Sequence, residues 1–464
     1  MGSAGLNRAR DKMRDAGVDE VAIETFAHYY RLLEHGETGM IPESSIEPVD
    51  IPSLSEVSVS EEDAAEAIRR TAVIKLNGGL GTSMGMDRAK SLLCVRRGLS
   101  FLDIIARQVL HLRKVHGAPL PLIFMNSFRT SADTMAALAR YEDLAVDGLP
   151  LEFLQNKEPK LLAKDLSPVS YPKDPDLEWC PPGHGDLYTA LRGTGLLDRL
   201  IEAGYERVFV SNSDNLGAVP DPRVAGWFAT SGAPFAIEAV RRTASDKKGG
   251  HFARRKNDGR LVLRETAQTL PEDQAALADL DRHQYCSTNN LWFDLVAMRD
   301  VLDARDGVLG LPLIRNVKTV DPGDKTTPEV IQVETAMGAA IEVFEGSQLI
   351  EVGRDRFVPV KTTNDLLVLR SDVYDIGQDF VLDQVSVELP YVELHGDFYK
   401  LVGDFDKRFP DGAPSMRKAS ALKVDGDFTF GRGVQVVGEV ELAAKSAQRV
   451  EAGTVLSEAE PTDG

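Results

Sequence analysis

A mostly apolar run from Ala72 to Leu76 reads as a buried strand. It opens directly into a loop carrying Gly78, Gly79, Gly81 and Gly85, followed by a lysine, Lys90. No other segment limits the fold as much. Glycines behind a strand let backbone N–H groups approach a phosphate or a flat base, because no Cβ stands in the way. The lysine then offers a mobile point charge to the phosphates. Spacing excludes two better-known phosphate loops. A Walker A loop places glycine directly before its Lys-Ser pair, where this chain has Ala89. A dinucleotide fingerprint counted from Gly79 and Gly81 needs its third glycine where Met84 stands. A tight strand-to-helix turn would use the same glycines, so the loop alone leaves a structural reading open.

Beyond this strand, strand-like runs alternate with helical patterns as far as about residue 375. The strands are Val73–Leu76, Leu122–Met125, Val208–Ser211, Phe235–Val240 and Leu291–Leu295, and the helical candidates include 101–115, 185–203 and 331–345. Such alternation argues an α/β domain with a parallel or mixed sheet, whose ligands sit at the carboxyl ends of the strands. Residues 7–34 carry apolar positions at helical spacing and predict one or two amphipathic helices. Residues 41–59 read as a linker over a surface, and a short helix over about 60–70 opens at Ser60 with Glu61, Glu62 and Asp63 in its first turn. The C-terminal part changes period. Leu422/Val424, Phe428/Phe430, Val434/Val436 and Val440/Leu442 repeat every six residues with glycines between them, which predicts a parallel β-helix over a plain meander.

Charge and cysteine usage narrow the function. Lys and Arg total 53 against 72 Asp and Glu, a formal charge of −19, which disfavours nucleic acid as a partner. The same field repels anionic ligands, so any lysine beside a phosphate loop carries more weight. Cys94, Cys180 and Cys286 are odd in number and widely spaced, which argues against a disulfide framework and a structural zinc site. No run is long enough to span a membrane, and Met1 to Arg14 lacks the apolar core of a secretory signal, so the expected location is the cytoplasm.

Four further segments carry candidate chemistry. In Trp179-Cys180-Pro181-Pro182-Gly183-His184-Gly185-Asp186, glycines flank a histidine at a helix start, a place suited to a phosphate or sugar hydroxyl. Val208 to Asn215 is a strand ending in Ser211-Asn212-Ser213-Asp214-Asn215, where Asp214 is the candidate ligand of a nucleotide-bound Mg²⁺ and an Asx-turn the alternative. Ser287-Thr288-Asn289-Asn290-Leu291-Trp292 brings paired amides into a strand. Arg356 to Leu366 places Lys361 after an apolar stretch and before a Thr/Asp helix cap, with its head free for an anion.

The order of these motifs resembles that of the UDP-glucose pyrophosphorylase family, the eukaryotic-type UTP–glucose-1-phosphate uridylyltransferases. The resemblance rests on Leu-Asn-Gly-Gly-Leu-Gly-Thr, Met-Asn-Ser-Phe (125–128), Pro-Pro-Gly-His-Gly-Asp, Ser-Asn-x-Asp-Asn-Leu-Gly-Ala (211–218), Thr-Asn-Asn-Leu-Trp, Glu-Thr-Ala-Met-Gly-Ala-Ala (334–340) and Pro-Val-Lys-Thr-Thr-x-Asp-Leu. It implies a Rossmann-like, glycosyltransferase-A-like nucleotidyltransferase α/β fold with a C-terminal left-handed parallel β-helix domain. The implied division is a helical segment and linker (1–70), a catalytic nucleotide-sugar-binding domain (71–375) and the β-helix (376–464). It implies UTP and glucose 1-phosphate as substrates, Mg²⁺ as cofactor and possible self-association through the C-terminal domain. It further implies that Leu76, Asn77, Gly78 and Gly79 line the uridine, that Gln155 reads the uracil edge and that Gly183 lies beside the base. His184, Asn212, Asn289 and Asn290 fall at sugar or sugar-phosphate positions. Lys90, Lys361 and the metal-binding Asp214 fall at the phosphates.

Three departures from the family pattern stand out: Ser213 for an apolar residue, Cys180 for an aromatic one, and Val317 between Asn316 and Lys318. Within the class, the rivals are enzymes for other UDP-sugars or for N-acetylglucosamine 1-phosphate. Those relatives tend to carry Ala where this chain has Asn77. A rival from another class is a non-catalytic nucleotide-sugar-binding protein.

Overall fold

The structure, a computed structural model, describes residues 2–457. Its centre is a sheet of seven strands: β1 (Thr71–Asn77), β2 (Leu122–Asn126), β3 (Glu152–Leu154), β4 (Arg207–Asn212), β5 (Phe235–Arg241), β6 (Tyr285–Asp294) and β7 (Gln348–Glu351). Their order across the sheet is β7-β5-β6-β4-β1-β2-β3. Neighbours run parallel except around β6, which is antiparallel to both β4 and β5. Both faces are buried, and the two-residue side-chain period of a strand sorts the residues between them. Val73, Phe124, Phe209 and Trp292 enter one core, while Ala72, Ile74, Ile123, Val208, Val210 and Phe293 enter the other.

The expected strands are all present, four of them a little longer than their apolar runs; the fifth begins earlier, at Tyr285, and stops at Asp294, because Asp294 caps a helix that opens at Leu295. The N-terminal pattern resolves into helices Gly2–Asp15 and Glu20–Glu34, the second capped by Asp19, whose carboxylate accepts from the Val21 N–H at 2.9 Å. Ser60 caps the helix Glu61–Arg69 by accepting from the Asp63 N–H. Within the expected linker, Ile46–Glu47 adds as a third strand to the hairpin His251–Arg255/Leu261–Arg264.

Two helical expectations are corrected. The 185–203 pattern divides into helices Asp186–Gly193 and Leu196–Glu202 at Gly195, whose φ of 68° ends the helical backbone. The 331–345 pattern is a strand, Glu329–Glu334, paired antiparallel with Ile314–Thr319, followed by a 3₁₀ turn, Met337–Glu342. Val330, Ile331 and Val333 are buried and β-branched, so strand backbone suits them better than helix. Apolar residues on both faces of a short strand had imitated helical spacing.

In the C-terminal region β8 (Tyr391–Leu394), β9 (Ser415–Asp425), β11 (Gln435–Ala443) and β13 (Val455–Ser457) form a parallel sheet, in that order. The short strands β10 (Phe428–Phe430) and β12 (Gln448–Val450) pair parallel beside them. Leu422 lies beside Val440 and Val424 beside Leu442, three six-residue repeats further on. A meander would pair its strands antiparallel; these coil forward and stack. Leu422, Val424, Phe430, Val436 and Val440 share one continuous core with Val73 and Phe209 of the central sheet.

Candidate active site

Strand β1 delivers the glycine loop to the carboxyl edge of the sheet. Gly81 and Gly85, at φ 68° and 75°, flank a 3₁₀ turn at Thr82–Met84, a backbone that side chains with a Cβ rarely adopt. The Gly79 carbonyl accepts from the Lys90 N–H at 3.0 Å and closes the loop, so Lys90 returns beside the strand end. A Cβ on Gly78 would lie 2.6 Å from Gln155 Oε1, which places that amide flat against the loop. A Cβ on Gly79 would meet nothing within 4 Å. No packing demand of the protein keeps position 79 bare, so its open face belongs to whatever enters the cavity.

That cavity, about 310 Å³, is lined by Leu76, Gly78, Gly79, Lys90, Gln155, Gly183, His184, Asn212 and Asp214, with Met125, Pro181 and Ser213 between them. Gln155 reaches it from the end of β3, where its N–H donates to the Asn126 carbonyl at 2.8 Å. Gly183 has φ 80°, and a Cβ there would lie 2.6 Å from the Thr335 carbonyl oxygen. His184 stands exposed on the cavity wall, and desolvation by the protein on its inner side pushes its pKa down to about 4. Its Nδ1 accepts from the Met337 N–H at 3.0 Å, so the neutral ring carries its proton on Nε2 as a donor.

Lys90 and Asp214 form an ion pair at the phosphate end, Nζ to Oδ2 at 2.7 Å, and Lys90 also donates to the Val360 carbonyl. Asn215 performs the turn-capping role that Asp214 could have had. Its Oδ1 accepts from the N–H groups of Gly217 and Val358, at 3.2 and 2.9 Å. Among the described residues lining the cavity, Asp214 alone carries a carboxylate. One oxygen donor beside open space fits Mg²⁺ bound mainly by phosphates and waters.

Asn77, Asn289, Asn290 and Lys361 do not line this cavity. Asn77 follows Leu76 on β1 and so faces the other way. Its amide donates to Asn126 Oδ1 and Thr134 Oγ1 at 2.8 and 2.9 Å and accepts from Ser213 Oγ at 3.0 Å. The departure at Ser213 thus ties the ends of β1 and β4 together, its one hydroxyl proton shared between Asn77 Oδ1 and the Leu76 carbonyl. Asn289, at φ 59°, sits in a bulge of β6, where the register against β5 breaks between Glu238 and Ala239. Asn290 is fully buried, its Nδ2 on Glu238 and its Oδ1 without a partner. Lys361 stands exposed beside the capping box of the helix Thr363–Arg370, near enough to Glu265 for its charge to be felt there. Burial pushes the Glu265 carboxyl up and Lys361 draws it back down. The motif reading passed over Glu265; the signal available was a carboxylate closing the apolar strand Leu261–Arg264.

Cys180 is buried, its thiol pushed well up by burial and the neighbouring Glu158, and its Sγ points at the Glu158 carbonyl. It is not a thiolate nucleophile. A separate group, Glu43, His251 and His283, brings its ligand atoms within 4.8 Å of one another. The two imidazoles stack 3.7 Å apart at 22°, and Glu43 already accepts from Arg264 and Arg282. That arrangement suits an anion held by cations better than a metal.

Comparison with known proteins points to one family. A family model described as UTP–glucose-1-phosphate uridylyltransferase matches residues 23–437. The UTP–glucose-1-phosphate uridylyltransferase of Hordeum vulgare is 38% identical over 394 residues, 84% of this chain and 80% of that protein. That of Solanum tuberosum is 36% identical over 459 residues, 97% of this chain and 92% of its own. Among solved structures, a variant of the Leishmania major UDP-glucose pyrophosphorylase in complex with UDP-glucose superposes with a TM-score of 0.91 at 40% identity, covering 98% of both chains. The Trypanosoma brucei UDP-glucose phosphorylase gives 0.90 at 41%, covering 98% of this chain and 99% of that one.

Proposed function

The chain belongs to the UTP–glucose-1-phosphate uridylyltransferase family, and we propose that its cavity transfers the uridylyl group of UTP to glucose 1-phosphate, giving UDP-glucose and pyrophosphate. The observation that carries this reading is one cavity joining a bare glycine face, an amide against it and a Lys90–Asp214 pair at its phosphate end.

A phosphate oxygen of glucose 1-phosphate attacks the α-phosphorus of UTP in line. The new P–O bond forms as the bond to the bridging oxygen of the β-phosphate breaks, and pyrophosphate leaves with that electron pair. The attacking group is already an anion, so no general base and no covalent enzyme intermediate are required. Catalysis is then orientation plus charge stabilisation. Leu76, Gly78, Gly79 and Gly183 hold the uridine, and Gln155 reads the uracil edge. His184 Nε2–H and Asn212 face the sugar phosphate, while Asn289 and Asn290, which do not line the cavity, take no direct part in holding the sugar. Lys90 and Lys361 neutralise charge on the phosphates once the exposed Lys361 side chain reaches into the cavity. Asp214 would hold Mg²⁺, which supplies charge neutralisation on the triphosphate when bound.

The same reading extends to the whole chain. The domain division at 1–70, 71–375 and 376–464 follows the change from sheet to coil. A left-handed hand for that coil, and self-association through it, follow from the family resemblance. Free, widely separated cysteines suit the cytoplasm. Among the described residues no helix is long and apolar enough to cross a membrane.

Pyrophosphate release from UTP against a panel of sugar 1-phosphates tests the assignment. Glucose 1-phosphate should give the highest kcat/KM, and ATP should be a poor substitute, since polar groups that pair with uracil reject a base that leaves them unpaired. Comparable rates with ATP, or a preference for N-acetylglucosamine 1-phosphate, would refute it.

A further inference from the structure

The uridylyl-transfer chemistry leaves a buried charge network unused. Glu238, on the central strand β5, is completely buried, and Arg356 almost so. The two meet bidentately, Nε to Oε2 at 2.6 Å and an Nη to Oε1 at 2.7 Å. Trp292 Nε1 and Asn290 Nδ2 complete the carboxylate's shell at 2.9 and 3.0 Å. Lys75, also buried, lies close enough to feel both charges, and its Nζ is spent on Ser211 Oγ and the Ala218 carbonyl. Such a pair is a poor source of stability, because desolvating two charges offsets most of their attraction. What it does well is fix geometry, since a planar guanidinium on a carboxylate has one seat.

The seat matters because of what Arg356 carries on its backbone. Its carbonyl accepts from Asn215 Nδ2 at 3.1 Å and from Asn290 Nδ2 at 3.3 Å. Two residues on, the Val358 N–H donates to Asn215 Oδ1. Pro359 bridges to Asn215, and the Val360 N–H donates to the Asp214 carbonyl at 3.2 Å. The Val360 carbonyl receives Lys90, and Lys361 comes next. From one buried anchor the chain is therefore pinned at nearly every residue up to the lysine.

We propose that Arg356, seated on Glu238, is a positioning residue that sets the 357–361 strap against Asp214 and Lys90, and through it the reach of Lys361 to the phosphates. This rests on the reading that Lys361 meets those phosphates. Lysine cannot reproduce a bidentate seat, so Arg356→Lys keeps the charge and loses the geometry. A strap displaced by about 1 Å costs on the order of 10–10² in rate.

The test is a double-mutant cycle of Arg356→Lys, Lys361→Ala and the pair together, read as kcat at saturating UTP and glucose 1-phosphate, with thermal midpoints alongside. The expected result is a kcat lowered about 10–10²-fold in Arg356→Lys and about 10²–10³-fold in Lys361→Ala. The pair should fall no further than Lys361→Ala. Losses that multiply, or an unchanged kcat in folded Arg356→Lys, would overturn the inference while leaving the role of Lys361 standing. An unchanged kcat in Lys361→Ala would overturn both. Should Arg356→Lys fail to fold, the paired change Arg356→Gln with Glu238→Gln replaces it in the same cycle with the same reading, since it removes the bidentate seat without leaving a buried charge unpaired.

Discussion

The two walls of the cavity are made by opposite means. The wall from β1 to β3 is backbone. Gly78, Gly79 and Gly183 present bare main chain, Gln155 is anchored through its own N–H, and Lys90 is the charge that faces inward from that side. The wall beyond β4 is charge and amide. Asp214 stands at its rim, and behind it the Arg356–Glu238 pair, Asn215 and Asn290 form a buried polar lattice. A backbone wall is sensitive to added atoms and indifferent to charge. A charged wall is sensitive to a single proton or amide and tolerant of small changes in bulk. The contrast follows from the ligand, whose flat neutral base needs close approach and whose phosphates need compensation.

Asp214 should give the largest effect that separates the walls. Asp214→Ala is expected to lower kcat about 10²-fold or more and to abolish the response to added Mg²⁺. Asn215 already caps the turn, so the fold should persist. Asp214→Asn keeps shape and hydrogen bonding but not charge, and should lose nearly as much. A magnesium titration of both variants checks this. Near-normal activity in Asp214→Asn would place the metal elsewhere and make the second wall less electrostatic than it looks.

On the backbone wall the sharpest probe is one methyl group. Gly79→Ala meets no protein atom within 4 Å, so its thermal midpoint should match the parent's. The methyl would instead occupy space meant for the base, raising KM for UTP about tenfold with little change in kcat. Gly78→Ala should do the same by pushing Gln155 aside, its Oε1 being 2.6 Å from the new Cβ. An unchanged KM in folded Gly79→Ala would show that the open face is not where uracil lies.

The two walls were unequally legible in the sequence, for the same physical reason. Glycine clusters and apolar strands are local signals, so β1, its loop and the Gly183-His184 turn could be placed by counting. The charged wall depends on partners far apart in the chain. Nothing near Asn290 announces that its amide is spent on Glu238, and nothing near Asn77 says that strand alternation turns it away from the cavity toward Asn126. The bulge that gives Asn289 its positive φ exists only against β5. Lys361 was legible as a lysine before a capped helix, but its nearness to Glu265 was not. The 331–345 segment failed more simply, because a strand buried on both faces and a short 3₁₀ turn share the apolar density of a helix.

His184 joins the walls and gives the smallest effect, one that only pH reveals. Its folded pKa of about 4 lies below the ordinary histidine value, so the unfolded chain binds a proton in a range where the folded chain does not. The stability its neutral ring allows is present above about pH 6.5 and is lost as pH falls toward 4. His184→Gln keeps a hydrogen-bonding side chain that does not titrate, so its thermal midpoint should fall less than the parent's between pH 7 and pH 5. Over pH 6–8 the parent's kcat/KM should show no inflection from this ring, because Nε2 stays an N–H donor throughout. An inflection near 6.5 that disappears in His184→Gln would mean that solvent in the cavity outweighs the desolvation on the ring's inner side. The Met337 bond at Nδ1 would then not set its tautomer, and the wall it closes would be wetter than its packing implies.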